Sequence, residues 1–504
     1  MSGSGAETIT ATAAQEEFFA RPMYTVHVEG WPSDQIHPSH PLERPRTAPS
    51  GARLRLWETD PRDGRHIPPP NGSGALLEVA EFSLANSGNR TLQAPKRSWK
   101  VDLGDGEVAG MSCLNLKSMY NDPSQMREAL AWWLFRCSGV PASRHTYARL
   151  GINGTYLGLF SVIEQVDKAF LRAHFAGRPR GNLYKVYCGE LGGGTLEHRA
   201  GPDGDDSGRQ YLTPGTDDQT YRLKSFAHAG GAEGYDDLAS FIRVLNGIGL
   251  PGGDERFDSD GFADSVRRVF AVEEFLRWAS VNVLVGAWDN YFATPANYYL
   301  YNSGKSGNGG GDGEGDLVAD PYVTFIPWDY DNTFGIDYFG TSWQYTNLVD
   351  WPSNTVEYWR RNGHGGTSHI PLVRNLLRNR TFRRYYLDHL EHLLDTVFNP
   401  DSIDSMIGTE TAGLWARVRS AAYLESDTPN GWPFTGRQYT NDEVYHSAFK
   451  QYELRHGETF VLGIHHYVRM RYDRARQQLA LLRQTDPAGS SGASFPAEPT
   501  AVPG

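Results

Sequence analysis

Two acidic clusters frame a glycine-rich stretch of this chain. The first runs Trp288-Asp289-Asn290-Tyr291 and on to Asn297; the second is Ile326-Pro327-Trp328-Asp329-Tyr330-Asp331, leading into Thr333-Phe334-Gly335. Apolar segments precede both, Val281 to Ala287 and Tyr322 to Pro327, and read as buried, so the carboxylates are held rigidly beside a core. Oxygen ligands in that setting suit Mg²⁺ or Mn²⁺, hard cations that take a few carboxylates and keep positions for water or phosphate oxygens. A lone Asp-Asn pair equally makes a turn or a helix cap. Two clusters bracketing the hairpin-like Asn297-Tyr298-Tyr299-Leu300-Tyr301 point instead to metal-assisted chemistry.

Positioning such groups takes a sizeable scaffold, and 504 residues are enough for two or more packed units. Acidic residues outnumber basic ones for a formal net charge of -12, which disfavours a general nucleic-acid binder. Three cysteines, Cys113, Cys137 and Cys188, are too few and too dispersed for a disulfide framework or a thiolate zinc site. His465 and His466 lack matching carboxylates in a ligand pattern, so packing explains them better than zinc. Residues 1–20, rich in Gly, Ser, Thr and Ala as far as Glu17, have neither a basic leader nor an apolar core. They are expected to be a disordered lead-in, with cytoplasmic residence the default. No apolar run approaches the length of a membrane span.

From residue 21 to 165 the pattern is β-rich. Tyr24 to Val28, Ala52 to Trp57 and Ser98 to Leu103 alternate as strands. Asp122 and Ser124 are placed to cap a helix over Met126 to Cys137, which Ser138-Gly139 stops. Asn153-Gly154 between His145 to Ile152 and Tyr156 to Ile163 signals a hairpin. From 166 to 484 helices dominate: Asp167 to His174, Asp236 to Asn246, Phe257 to Leu284, Leu372 to Phe398 and Glu453 to Gln484. Residues 188–234 and 302–320 have loop composition and read as insertions. Residues 485–504 are Pro/Ala/Gly/Ser-rich and are expected to be a disordered tail.

A small β-rich lobe with one main helix, followed by a mostly helical lobe bearing the Asp…Asn and Asp-x-Asp-x-x-x-Gly patterns, resembles an atypical, two-lobed protein-kinase-like α+β fold. The wording of separate blocks is closer still. Asn89-Arg90-Thr91, Lys96 to Lys100, Asp122 to Glu128, Ile152 to Phe160, Glu164, Gly181 to Lys185, Asp289…Asn297 to Tyr301 and Ile326 to Gly335 strongly resemble the spore-coat CotH kinase family. The resemblance covers most of Arg90 to Gly335 and weakens in the C-terminal helices.

That resemblance implies an ATP- and divalent-metal-dependent phosphotransferase, acting on Ser or Thr of a protein. Catalysis of this kind is mostly positioning and electrostatics. Lys100 is the expected phosphate-holding lysine, with Lys96 the alternative, and Glu128 its helix partner. Arg90, in a turn without a good G-x-G-x-x-G, is expected to contact phosphate. Glu164 to Val166 would be the inter-lobe hinge whose backbone meets adenine, and Tyr184 would pack on the ring. Asp289 is the expected catalytic base. Asn297, Asp329 and Asp331 are the expected metal ligands.

The acceptor stays open. A basic protein is electrostatically favoured, and self-phosphorylation is an accessible case. A kinase-fold scaffold in a coat or surface layer, or a kinase of a small molecule or peptide, are the alternatives, since fold kinship does not choose an acceptor.

Overall fold

The computed structural model describes residues 13–32, 42–63, 73–88, 92, 94–175, 181–224, 234–304, 317–349, 370–425, 439–456, 459–485, 493 and 495. The chain is a mixed α+β protein. Its first third builds a 9-stranded sheet in the order β2-β5-β6-β7-β9-β8-β1-β3-β4. These strands are β1 (Tyr24–Glu29), β2 (Arg46–Thr47), β3 (Arg53–Glu58), β4 (Leu77–Val79), β5 (Ser83–Ser87), β6 (Ser98–Asp102), β7 (Cys113–Lys117), β8 (His145–Ile152) and β9 (Thr155–Ile163). All neighbours are antiparallel except β1 and β8. Alternation puts Val26, Leu54, Leu84, Val101, Leu116 and Val162 into one shared core, so the other face is free to carry polar groups. The β8–β9 turn has Asn153 and Gly154 at φ 49° and 78°, the left-handed pair that a tight hairpin requires.

Several expectations change here. Residues 13–20, taken as part of a disordered lead-in, form a helix, α1, whose Phe18 and Phe19 are buried against the sheet core. Residues 1–12 lie outside the described residues, as does the tail from 486 apart from 493 and 495. β7 was not anticipated at all, although Leu114 and Leu116 alternate with Asn115 and Lys117.

The helix α2 (Arg127–Cys137) follows, with Asp122 Oδ2 accepting from the Arg127 amide at 2.9 Å and Ser124 Oγ from the Met126 amide at 3.2 Å, as its sequence suggested. It is buried nearly all round, so Glu128 has no route to bulk water. The fully buried Arg127 guanidinium pairs with Asp122 and donates to Ser447 Oγ at 3.2 Å, binding α2 to the distant C-terminal part.

Beyond α3 (Lys168–His174) a 4-stranded antiparallel sheet runs β11-β10-β12-β13. Its strands are β10 (Asn182–Val186), β11 (Tyr221–Leu223), β12 (Tyr298–Asn302) and β13 (Val323–Pro327). The described part of 188–234 is therefore not loop throughout, because β11 joins the sheet. The helices α4 (Asp236–Leu245), α5 (Asp260–Val269) and α6 (Val272–Val285) pack behind it. The expected single helix from Phe257 to Leu284 is broken at Phe270, which is extended, while the Ala271 amide bonds the Val323 carbonyl at 3.0 Å.

The remaining helices are α7 (Pro371–Arg378), α8 (Arg380–Asp395), α9 (Pro400–Ile407), α10 (Gly413–Leu424), α11 (Asn441–Phe449) and α12 (Ile464–Thr485). A third sheet holds β14 (Ile336–Asp337), β15 (Glu453–His456) and β16 (Thr459–Leu462), so the start of the expected helix from Glu453 is a hairpin. Among the described residues no helix is long and apolar enough to cross a membrane.

Candidate functional site

The loop after α6 and the loop after β13 are locked to each other through one buried side chain. Asn282 Oδ1 accepts from Asn290 Nδ2 at 2.9 Å and from the Tyr330 hydroxyl at 3.1 Å. Trp278 Nε1 donates to the same hydroxyl at 2.6 Å. The Phe334 amide bonds the Val285 carbonyl at 2.7 Å, and Trp288 Nε1 the Ile336 carbonyl at 2.8 Å. The helix can end there because Gly286 adopts φ 64° where any Cβ would collide with the Tyr467 hydroxyl.

Three non-glycine residues of these loops have left-handed backbones: Asn297 at φ 54°, Asp329 at 68° and Phe334 at 48°. Asn and Asp tolerate that region, but a bulky Phe does so only when its surroundings enforce it. Phe334 is fully buried and hydrogen-bonded, which supplies the enforcement. The effect is to aim the side chains of the two loops rather than let them relax. Asp289 Oδ1 accepts from Thr294 Oγ1 at 3.1 Å and Oδ2 from Asn332 Nδ2 at 3.4 Å. Asn297 Nδ2 donates to the Asp289 carbonyl at 2.9 Å, so these two expected site residues do meet.

Across from them, β7 delivers Lys117, whose Nζ is 2.8 Å from Asp329 Oδ1. The side chains are 19% and 27% exposed, leaving the pair reachable from solvent. Burial works against the Lys117 charge, but Asp329, Glu128 and Asp331 outweigh it and hold its pKa above the usual lysine value. Glu128, 2% exposed, has neither oxygen at good hydrogen-bonding geometry to any partner among the described residues, although the Trp132 indole and the Tyr330 amide lie toward it. Burial first, and Asp329 after it, push its pKa up to about 7 against the pull of Lys117. Asp331 is raised well above the carboxylate range, by burial and then by Asp329 and Glu128, with Asp289 contributing. Asp329, Asp331 and Glu128 thus act together on Lys117, and Asp289 acts on Asp331.

Lys100 is not the lysine of that neighbourhood. It sits on β6 opposite Asn115, which lies two residues before Lys117 on the same face of β7, so the choice fell one strand short. Lys100 is exposed, and its charge falls on Lys185 and Tyr187. The alternative, Lys96, is buried 2.7 Å from Glu425 Oε1 and also donates to the Leu159 carbonyl at 2.6 Å, tying β9 to the end of α10. Arg90 lies outside the described residues.

Tyr184 also needs correcting as a ring-stacking residue. It is 1% exposed, and its hydroxyl bonds Asp237 on α4 and the Gly234 carbonyl, so it faces the core. Alternation along β10 instead brings its neighbour Lys185 to the open face. Glu164 and Val166 do lie in the connector between β9 and α3. The Glu164 carboxylate is buried against Arg144 and His174, which hold its pKa low despite burial, and its amide already bonds the Arg144 carbonyl at 3.0 Å. Gln165 between them accepts from Asn115 Nδ2 at 2.9 Å.

Lys185 went unassigned from sequence. Its Nζ lies 4.9 Å from the Tyr187 ring centroid and 5.6 Å from those of Tyr299 and Trp328. Lys117 Nζ lies 5.4 Å from the same Trp328 ring. Burial, then Lys117, lower the Lys185 pKa to about 8, Lys100 and Arg222 adding to the effect and Asp329 opposing it. The signals that could have found these lysines were the Leu-Asn-Leu-Lys alternation ending at Lys117 and the Tyr-Lys-Val-Tyr alternation around Lys185.

The structure is thus a mixed α+β protein that joins a strand lysine, a buried helix glutamate and two carboxylate-bearing loops. The chain belongs to the CotH family: the model of the CotH kinase protein family matches residues 84–446. It is 24% identical to invasin CotH2 of Rhizopus delemar over 63% of this chain and 47% of that protein. Invasin CotH3 of the same fungus is 22% identical over 66% of this chain and 51% of its own length. Inner spore coat protein H of Bacillus subtilis is 22% identical over 73% of this chain and 83% of that protein. The chain spans about half the length of the fungal invasins it matches.

Proposed function

We propose that this chain is an ATP-dependent phosphotransferase with the two-lobed arrangement of an atypical protein kinase, using Mg²⁺ or Mn²⁺ and passing the γ-phosphate to a Ser or Thr hydroxyl of a protein. The observation that carries the proposal is the Lys117–Asp329 pair beside a buried Glu128 whose oxygens, among the described residues, have no partner at good hydrogen-bonding geometry. A carboxylate left without a partner in a low-dielectric site costs stability, and a fold that keeps one has reason to hold a mobile positive charge there.

In this proposal Lys117 presents its ammonium to phosphate oxygens and Glu128 keeps that charge in place. Asp289 accepts the hydroxyl proton, its orientation set by Thr294 and Asn332. Asp329 and Asp331 are the carboxylates for the divalent cation, and their mutual repulsion is what such a cation would relieve. Carboxylate and amide oxygens are hard donors that suit Mg²⁺ or Mn²⁺, which would be held by one or two of the carboxylates, the Asn297 amide oxygen and phosphate. When bound, the cation would neutralise phosphate charge as a Lewis acid. The adenine edge is assigned to the backbone of Gln165 and Val166, and Arg90 to a phosphate contact.

The relatives named as invasins and coat protein supply a second reading, a surface or coat-layer interaction protein without transfer. Thermal unfolding separates the two. ATP should raise the melting temperature far more with Mg²⁺ or Mn²⁺ than with chelator, and mass spectrometry after incubation should find phosphate on Ser or Thr of the chain itself or of basic Ser-rich peptides. Equal shifts in both conditions would remove the metal assignment. Turnover only with small-molecule extracts would move the acceptor to a metabolite, and binding without turnover would favour the interaction protein.

A further inference from the structure

The face of the 4-stranded sheet that carries Lys185 is unusually rich in positive charge. In the β10–β11 register Lys185 lies directly opposite Arg222. Like charges opposite each other in an antiparallel pair are destabilising, and strands normally avoid them. Arg222 leans over the Tyr187 ring, 5.6 Å from its centroid, the same ring that Lys185 approaches. Lys224 and Lys100 add to the positive field at Tyr187. Among the described residues, no carboxylate forms an ion pair with Lys100, Lys185, Arg222 or Lys224. The Tyr187, Tyr299 and Trp328 rings wall Lys185 and orient it without neutralising it.

We infer that Lys185, with Arg222 opposite it, forms a second phosphate-binding cation set, separate from the Lys117–Asp329 pair, that takes the polyphosphate chain of the nucleotide. The inference rests on the nucleotide-binding part of the proposed function. A multiply charged anion is required because several cations must be offset at once, which one carboxylate would not do. A chain of phosphates is the class that fits, because Lys117 and Lys185 lie 5.4 and 5.6 Å from the same Trp328 centroid and one extended anion can reach both. Lys117 remains tied to a metal-ligand loop through Asp329. Lys185 has no such tie, so its role is to recognise charge and hold the chain in place.

Calorimetric titration of the full chain with inorganic tripolyphosphate, ATP and adenosine tests this. Lys185→Met should weaken tripolyphosphate and ATP by about ten-fold or more, leave adenosine unchanged and keep the parent melting temperature, while Lys185→Arg should recover most of the loss. Parent-like tripolyphosphate binding by folded Lys185→Met would overturn the inference. So would a loss in Lys185→Arg equal to that in Lys185→Met, since charge would then not be the cause, or absence of tripolyphosphate binding by the parent chain. Lys185-dependent tripolyphosphate binding without any phosphate transfer would support this subsite and sink the kinase proposal alone.

Discussion

Lys117 Nζ donates to Asp329 Oδ1 at 2.8 Å, joining a strand of the first sheet to the loop after β13 of the second, 212 positions along the chain. The pair couples the β7 strand to the loop that also holds Asp331. Asp329 is in a left-handed backbone conformation, so the loop is set to present its carboxylate there.

Exchanging either lysine should separate the two candidates for the phosphate clamp. Lys117→Met is expected to abolish the metal-dependent stabilisation by ATP, which for the parent reaches about 2.7 kcal/mol at 100 times Kd. Lys100→Met should reduce it only partly, since Lys100 is exposed and lies outside the Lys117–Asp329 pair. Melting curves with saturating ATP and Mg²⁺ read both, and the reverse ranking would restore Lys100 as the principal lysine.

For Asp289→Asn the expected result is loss of transfer by about 100-fold or more with nucleotide affinity largely kept, because the base is removed and the cations remain. Asp329→Ala should weaken metal-dependent nucleotide binding as well. Labelled ATP, followed for both binding and incorporation, distinguishes the variants. Parent-like transfer by Asp289→Asn would mean another group takes the proton.

Glu128 makes stability depend on pH in a defined direction. Its folded pKa is raised from 4.5 to about 7, so the folded state holds the proton more tightly than the unfolded one. Its contribution is therefore neutral below about pH 4.5, and stability falls as pH rises from there to about 7. The loss is on the order of 3 kcal/mol, since one pKa unit is about 1.4 kcal/mol. Urea midpoints for parent and Glu128→Gln should diverge above neutral pH, the variant being the more stable. A parent at least as stable as Glu128→Gln at pH 8 would contradict the unpartnered state of this carboxyl.

Arg127→Ala should be among the most damaging single changes outside the site. It removes the buried partner of Asp122 and the link from α2 to Ser447, and stranding a buried charge costs about 3–5 kcal/mol. Denaturant unfolding measures the cost, and a change under about 1 kcal/mol would show that water reaches Asp122.

Tyr184→Phe tests the corrected orientation of β10. It should leave nucleotide binding unaltered and lower stability by about 1–3 kcal/mol, because the hydroxyl bonded to Asp237 on α4 is lost. Weakened ATP binding at unchanged stability would return the ring to the nucleotide.

The family, the α+β class and the two carboxylate loops were legible in the sequence because each is a local word. Asp289 and Asn297, or Asp329 and Asp331, are close along the chain, and turn chemistry and apolar framing reveal them without any knowledge of pairing. The cap of α2 and the Asn153-Gly154 hairpin are equally local, and both form as expected. Which lysine meets Asp329 was not legible, because the answer depends on strand register. Lys100 and Lys117 share a face of neighbouring strands, and only the position of β7 between β6 and β9 sends Lys117 toward the second sheet. The same holds for β10, where one residue of phase puts Tyr184 in the core and Lys185 among three aromatic rings and the other cations. Side chains alternate with a period of two, so a one-residue choice inverts the face, and long-range pairing alone makes that choice.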